Sequence, residues 1–152
     1  MLKLRLADAA DCDLFFNWRN DPLAISYSLS KAPIEYQAHV AWYQKVLLAR
    51  ESLLLVGEWS GVPCGQIRFD KKNQELTISY AIDPRFRGQG LSFQFLTLGL
   101  AHSRTVFSDT LVCIGVVLVE NIASCKAFLR AGFSKSDPMI IQNRECFVFS
   151  AR

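Results

Sequence analysis

Leu2, Leu4 and Leu6 alternate with Lys3 and Arg5, the period-two pattern of a strand with one buried face. Asp8 offers an N-cap oxygen, with Asp11 three residues on near the capping-box spacing, so a short helix is expected to run to about Asn20. Asp21-Pro22 stops it, because proline disfavours helical backbone in the residue before it. The Ser-rich stretch 23–33 has no strong periodicity and reads as a loop. Ile34, Ala38, Trp42 and Val46 recur at helical spacing and predict a second helix over 34–49.

Beyond it the pattern changes to strands. Segments 52–58 and 62–70 are β-rich and joined by Ser60-Gly61, a hairpin signal. Segment 75–83 alternates, with Leu76, Ile78, Tyr80 and Ile82 on one face and Glu75, Thr77, Ser79 and Ala81 on the other. A long apolar helix follows over 88–106, and 110–119 is a nearly continuous apolar run of the kind found in central strands. Residues 121–131 form a helix closed by Gly132. Two tail strands, 139–141 and 145–149, flank a turn at Asn143. The expected order is β-α-α-β-β-β-α-β-α-β-β: an α/β (α+β) mixed sheet of about seven strands with helices on both faces, in one domain over 1–152.

A chain of 152 residues, 51% hydrophobic and 20% charged, suits one compact globular core. The net charge of +3 is small and the basic residues are scattered, unlike the concentrated stripe that nucleic-acid binding needs. The five cysteines lack CxxC spacing and the chain has only His39 and His102, which speaks against a metal site and for reduced thiols. No stretch reads as a signal peptide or spanning helix, so a cytoplasmic location without membrane contact is expected.

One segment carries candidate chemistry. Ile82-Asp83-Pro84-Arg85-Phe86-Arg87-Gly88-Gln89-Gly90-Leu91 lies between a strand and a long helix. Glycines allow close backbone approach, and the helix start presents free N–H groups and a positive dipole end, a seat for pyrophosphate. Arg85 and Arg87 could add cationic contacts; an ordinary strand-to-helix turn would use the same glycines.

The run Arg85-x-x-Gly88-x-Gly90 resembles the R/Q-x-x-G-x-G/A signature of GNAT-superfamily acetyltransferases, and the block from Asn121 through Ser124 and Phe128 to Gly132-Phe133 resembles their second motif. The resemblance spans essentially the whole chain. It implies the GNAT fold and acetyl-CoA as acyl donor, held in a V-shaped opening between the strands ending near Asp83 and Val119. Ile82, Arg85, Phe86, Arg87, Gly88, Gln89, Gly90 and Leu91 would hold the pyrophosphate side, and Asn121, Ser124 and Phe128 the pantetheine side. The family's usual leaving-group acid, a tyrosine, is here Phe128, and a carboxylate base of some relatives falls on Val116. Glu75, or Glu120 through water, is then the expected base.

Phe16-Asn17-Trp18-Arg19-Asn20-Asp21-Pro22 and His39-Val40-Ala41-Trp42 resemble features of a subgroup acting on nucleotide-linked amino sugars (the pseudaminic-acid pathway) and of ribosomal-protein N-acetyltransferases. That implies Arg19, His39 and Thr77 at the acceptor. Arg19 could instead bond helix-end carbonyls, and His39 could pair with Glu35 on the surface. The expectation is an N-acetyltransferase for a small amine, best a nucleotide-linked amino sugar. A protein N-terminal acetyltransferase and a non-catalytic acyl-CoA-binding module are the alternatives. C-terminal edge strands offer a homodimer surface.

Overall fold

The second strand explains the layering. Leu53, Leu54, Leu55 and Val56 are consecutive and all buried, so this strand has apolar side chains on both faces and needs cover on both. In the computed structural model, which describes residues 1–152, Leu53 and Leu55 join a large core while Leu54 and Val56 join a smaller one.

The elements are β1 (Leu2–Leu6), α1 (Cys12–Arg19), α2 (Pro22–Ser26), α3 (Tyr36–Leu48), β2 (Ser52–Trp59), β3 (Val62–Lys72), β4 (Glu75–Ile82), α4 (Leu91–Val106), β5 (Val112–Leu118), α5 (Ile122–Arg130), β6 (Ser134–Lys135), β7 (Met139–Ile141) and β8 (Arg144–Ala151). The strands form one eight-stranded sheet in the order β1-β2-β3-β4-β5-β8-β6, with β7 paired to β8. Every pairing is antiparallel except β4 with β5. α4 and α5 cover the larger core through Leu91, Phe95, Leu96, Cys125 and Phe128. α1 and α3 cover the opposite face through Phe15, Trp18 and Tyr43.

Turn chemistry sets much of this. Ser60 and Gly61 both have positive φ, 51° and 81°, and so do Gln142 and Asn143, 49° and 64°. Two consecutive left-handed residues are what a tight hairpin between twisted strands requires. Asp8 accepts from the Ala10 amide while Asp11 accepts from the Asp8 amide, forming the expected capping box. It opens a 3-10 turn over Ala9–Asp11 before α1.

Three expectations need correction. Residues 23–33 are not all loop: α2 begins at Pro22, capped by the Asp21 carboxylate on the Ala24 amide at 3.1 Å. Proline stops α1, but at a first helical position its fixed φ also starts the next helix. The buried face of α3 is built on His39 and Tyr43, whereas Ala38 is exposed and Trp42 only half-buried. Both polar side chains are accommodated by backbone carbonyls: Tyr43 Oη donates to Asp8 O at 2.7 Å, and His39 Nε2 meets Cys12 O at 2.8 Å. Finally, the sheet gains the two-residue β6.

α4 approaches the sheet by pairing absent side chains with large ones. The fully buried Phe95 ring lies over Gly57 and Gly65, and Gly99 of the helix lies over Ile67. A Cβ at Gly57 would come within 2.2 Å of the Phe95 ring. Gly57→Ala is therefore expected to cost about 1–3 kcal/mol of overpacking strain, read as a lower urea midpoint. Adding Phe95→Leu should return part of that loss.

Candidate active site

β4 and β5 run side by side only through Glu75↔Val112, Leu76↔Cys113 and Thr77↔Ile114. Beyond Thr77 they part, while β4 stays paired to β3 and β5 to β8. The fork opens a cleft of about 550 Å³ between Ile78–Ile82 on one arm and Val116–Leu118 on the other.

The far end of the cleft is the turn after β4. Asp83, buried, accepts from Trp18 Nε1 at 2.9 Å and from the Arg85 amide at 2.9 Å, fixing a 3-10 turn over Pro84–Phe86. Gly88 and Gly90 then adopt φ of 78° and 75°, and a Cβ at either would meet nothing within 4 Å. Backbone conformation, rather than crowding, demands glycine there. Gly90 caps α4 without any side-chain bond, so the first amides of this 16-residue helix are left for an anion, with the helix dipole behind them.

Phe86, Arg87, Gly88, Gly90, Leu91, Asn121, Ser124, Phe128 and Ile82 all line the cleft; Arg85 and Gln89 do not. The two arginines are engaged by carboxylates. Arg85 forks onto Asp83 at 3.0 and 3.3 Å, and Arg87 reaches Asp21 at 2.6 Å. Their geometry makes them braces of the turn, with the backbone left as the anion seat. Asn121 caps α5 by accepting from the Ser124 amide at 3.3 Å. Phe128 is buried against Phe149 and Phe133, centroids 5.1 and 5.0 Å away, over Gly115.

A second cavity of about 230 Å³ shares Ala24, Ser28, Ser79, Tyr80 and Ala81 with the first. Arg19, His39, Trp42, Gln66 and Arg68 complete its polar and aromatic wall. The Cys12 carbonyl can only accept, so His39 Nε2 carries a proton, and in the uncharged ring this leaves Nδ1 as a lone pair. That Nδ1 is buried without a partner, as is Gln66 Oε1. The Arg68 guanidinium lies 5.2 Å over the Trp42 ring and pairs with Asp70 at 2.7 Å. Partial desolvation, and then repulsion from Arg68, hold the Arg19 guanidinium below its ordinary value. No carboxylate lines either cavity.

Of the other predicted residues, Glu75 and Thr77 sit in the closed stem of the fork and line neither cavity. Glu75 lies five residues from Tyr80, about 16 Å along an extended strand, which argues against it as a base. Glu120 is exposed and bound by Arg144 at 2.7 Å. Arg144 also donates to Ser28 O at 2.8 Å and Ser26 O at 3.4 Å, tying the end of α2 and the residues after it to β8 and, through Glu120, to the turn before α5. Sequence reading missed Arg68 and Gln66, and placed Tyr80 on the apolar face of its strand as core. The signal for the first two was the polar alternation of β3: Gln66 opposes Ala81 and Arg68 opposes Ser79, one shared face. Tyr80 Oη donates to Ser124 Oγ at 2.9 Å across the fork.

Residues 1–134 match the family model described as acetyltransferase (GNAT) domain. No protein of curated function matches the sequence. Among solved structures, spermidine N-acetyltransferase from Vibrio cholerae with CoA and spermine is 21% identical, with a TM-score of 0.82 over 98% of this chain and 92% of that one. YncA from Salmonella typhimurium with acetyl-CoA is also 21% identical, TM-score 0.79, covering 99% and 91%. The ribosomal L7/L12 α-N-protein acetyltransferase RimL with CoA is 16% identical, TM-score 0.82, covering 99% and 93%. At these identities the likeness is one of fold.

Asp83 links both faces of this site, and its ionisation carries a pH signature. Burial alone would raise its pKa, but hydrogen bonds from Arg85 and Trp18 outweigh burial and hold it below the ordinary value. Its contribution to stability is thus full above the ordinary carboxylate pKa of about 4 and is lost as pH falls through the depressed value. Asp83→Asn should unfold at lower urea than wild type at neutral pH, with the gap narrowing steadily as the pH is taken into the acid range.

Proposed function

The chain belongs to the GNAT acetyltransferase domain family, and from that premise we propose that it transfers acetyl from acetyl-CoA to a small primary amine bearing an anionic group, best fitted by a nucleotide-linked amino sugar. The observation that carries this reading is the charge of the second cavity: its lining has the guanidinium of Arg19, which pairs with no carboxylate, and that of Arg68, whose Nε alone is taken by Asp70, and it has no carboxylate. A polyamine or aminoglycoside brings several positive charges and needs acidic walls. A diphosphate or carboxylate suits guanidinium forks, which bind such groups bidentately. Trp42 adds an aromatic surface beside them.

On the donor side, the uncapped start of α4 and the Gly88 and Gly90 backbone suit the pyrophosphate of acetyl-CoA. The cleft between the fork arms suits its extended arm, with Asn121 and Ser124 beside it. The thioester then belongs where the cavities meet. There a neutral amine attacks its carbonyl carbon directly. In place of Glu75 and Glu120, His39 is the lining side chain with an unpartnered ring nitrogen, Nδ1; that atom is enclosed, so accepting a hydrogen bond from the amine requires the cavity wall to open around it.

Thiol release from acetyl-CoA measured against a UDP-linked 4-amino sugar, spermidine, an aminoglycoside and N-terminal peptides tests this. Release is expected with the UDP-amino sugar, and Arg19→Ala or Arg68→Ala should raise its KM about tenfold or more while kcat changes less. Release with spermidine or peptides alone would overturn the acceptor class. No release with any amine, despite acetyl-CoA binding, would leave a non-catalytic acyl-CoA-binding module.

A further inference from the structure

We infer that Tyr80 is a catalytic residue of this site: its hydroxyl protonates the CoA thiolate as it leaves, and Ser124 positions that hydroxyl. The inference rests on the acetyl-transfer reading above.

Five residues line both cavities, and Tyr80 is the only titratable one among them. A thioester attacked from the second cavity while its CoA occupies the first has its sulfur at that junction. The other groups lining the donor cleft offer little. Val116 and Phe128 carry no proton to give, Arg87 holds its proton in an ion pair with Asp21, and Tyr27 lies at the exposed end of α2. The Phe128 ring has no donor atom and fills the space over Gly115.

Tyr80 projects from the free arm of β4, beyond the last β4–β5 pair. Its Oη donates to Ser124 Oγ at 2.9 Å, and its ring lies 6.1 Å from Phe128. Burial pushes the hydroxyl above the usual tyrosine value, against hydrogen bonds with Ser124 and Ser92. It therefore remains protonated at neutral pH, as a donor must. Ser124 in turn is held at the first turn of α5, where Asn121 fixes its amide.

The step balances without a further reactant. The amine nitrogen forms a bond to the acetyl carbon, the carbon–sulfur bond breaks with its electron pair on sulfur, and the Tyr80 proton moves to that sulfur. Ser124 Oγ–H turns to stabilise the tyrosinate. The proton shed by the nitrogen on becoming an amide returns to Tyr80 through the solvent of the second cavity. The products are the N-acetyl amine and free CoA thiol.

A leaving-group comparison tests the role. Wild type, Tyr80→Phe and Ser124→Ala are assayed with acetyl-CoA and with S-acetyl-thionitrobenzoate, whose thiolate is a much weaker base. The acceptor is whichever amine of the panel above gives the fastest release. Tyr80→Phe should lower kcat with acetyl-CoA by about 100-fold, the lower range for general acid catalysis, with KM for acetyl-CoA and CoA affinity little changed. With the activated thioester the loss should shrink to a few-fold, because that sulfur leaves without a proton. Ser124→Ala should show the same donor dependence at smaller amplitude. An equal loss with both donors, an unchanged kcat, or a donor-dependent loss found in Tyr27→Phe instead would overturn the assignment. Release by wild type together with any of those results overturns this inference alone. Absence of release by wild type overturns the acetyl-transfer reading with it.

Discussion

The parting of β4 from β5 after three residue pairs is the constraint on which the rest depends. Had the parallel ladder continued, the gap would close and the sheet would be unbroken from β1 to β8. Each arm keeps its hydrogen bonds on the outer side, β4 with β3 and β5 with β8. The fork therefore leaves one edge of each arm unpaired, a cost offset through a ligand, polar side chains or water. Tyr80 and Ser124 bridge the opening with a hydrogen bond of their own. The interior of the protein is thus built around a space whose two walls are joined by the stem of the fork, by Tyr80–Ser124 and by Arg144 reaching Ser26 and Ser28.

Ion pairs that looked like ligand contacts in the chain turn out to do the bracing. Asp83 gathers Trp18 from α1, the Arg85 amide and the Arg85 guanidinium. Asp21 caps α2 and takes Arg87. The anion seat and the acceptor wall are accordingly joined by two carboxylates, one of them buried and hydrogen-bonded to an indole. Arg85 is itself largely exposed, so solvent screens its pair, while Arg87 and Asp21 are both partly buried and screened less. Their main effect is positional: they hold α1 and α2 at the mouth of the fork.

How much of this could be read from the chain depends on how local each feature is. Strand alternation, hairpin turns and Gly132 after α5 are properties of a few neighbouring residues, and the element order followed from them. α2 is too short to show periodicity, and β6 exists only by pairing with β8. The buried face of α3 was mis-phased because His39 and Tyr43 look polar until the carbonyls of Cys12 and Asp8 are brought to them. At the site, the glycine turn was legible because positive φ demands glycine. The pairing of Arg87 was not, since Asp21 is 66 residues away, whereas Arg85 has its partner Asp83 only two residues off and the turn that joins them was simply not read. The two faces of β4 were read as they stand. Where the fork begins along that strand was not, and that point separates Glu75 from the cleft and brings Tyr80 into it.

Arg144 reaches from the last strand to the carbonyls of Ser26 and Ser28, holding the acceptor-side segment by its backbone alone. A grip on main-chain oxygens is indifferent to the identity of the residues it holds. Apart from Ser26 and Ser28, whose hydroxyls bond the segment's own backbone, side chains between Leu23 and Lys31 can be exchanged without loosening this grip. Because Leu23, Ala24, Tyr27, Ser28 and Leu29 line the donor cleft, and Ala24 and Ser28 the second cavity as well, exchanges there reshape both spaces while the main-chain attachment stays in place.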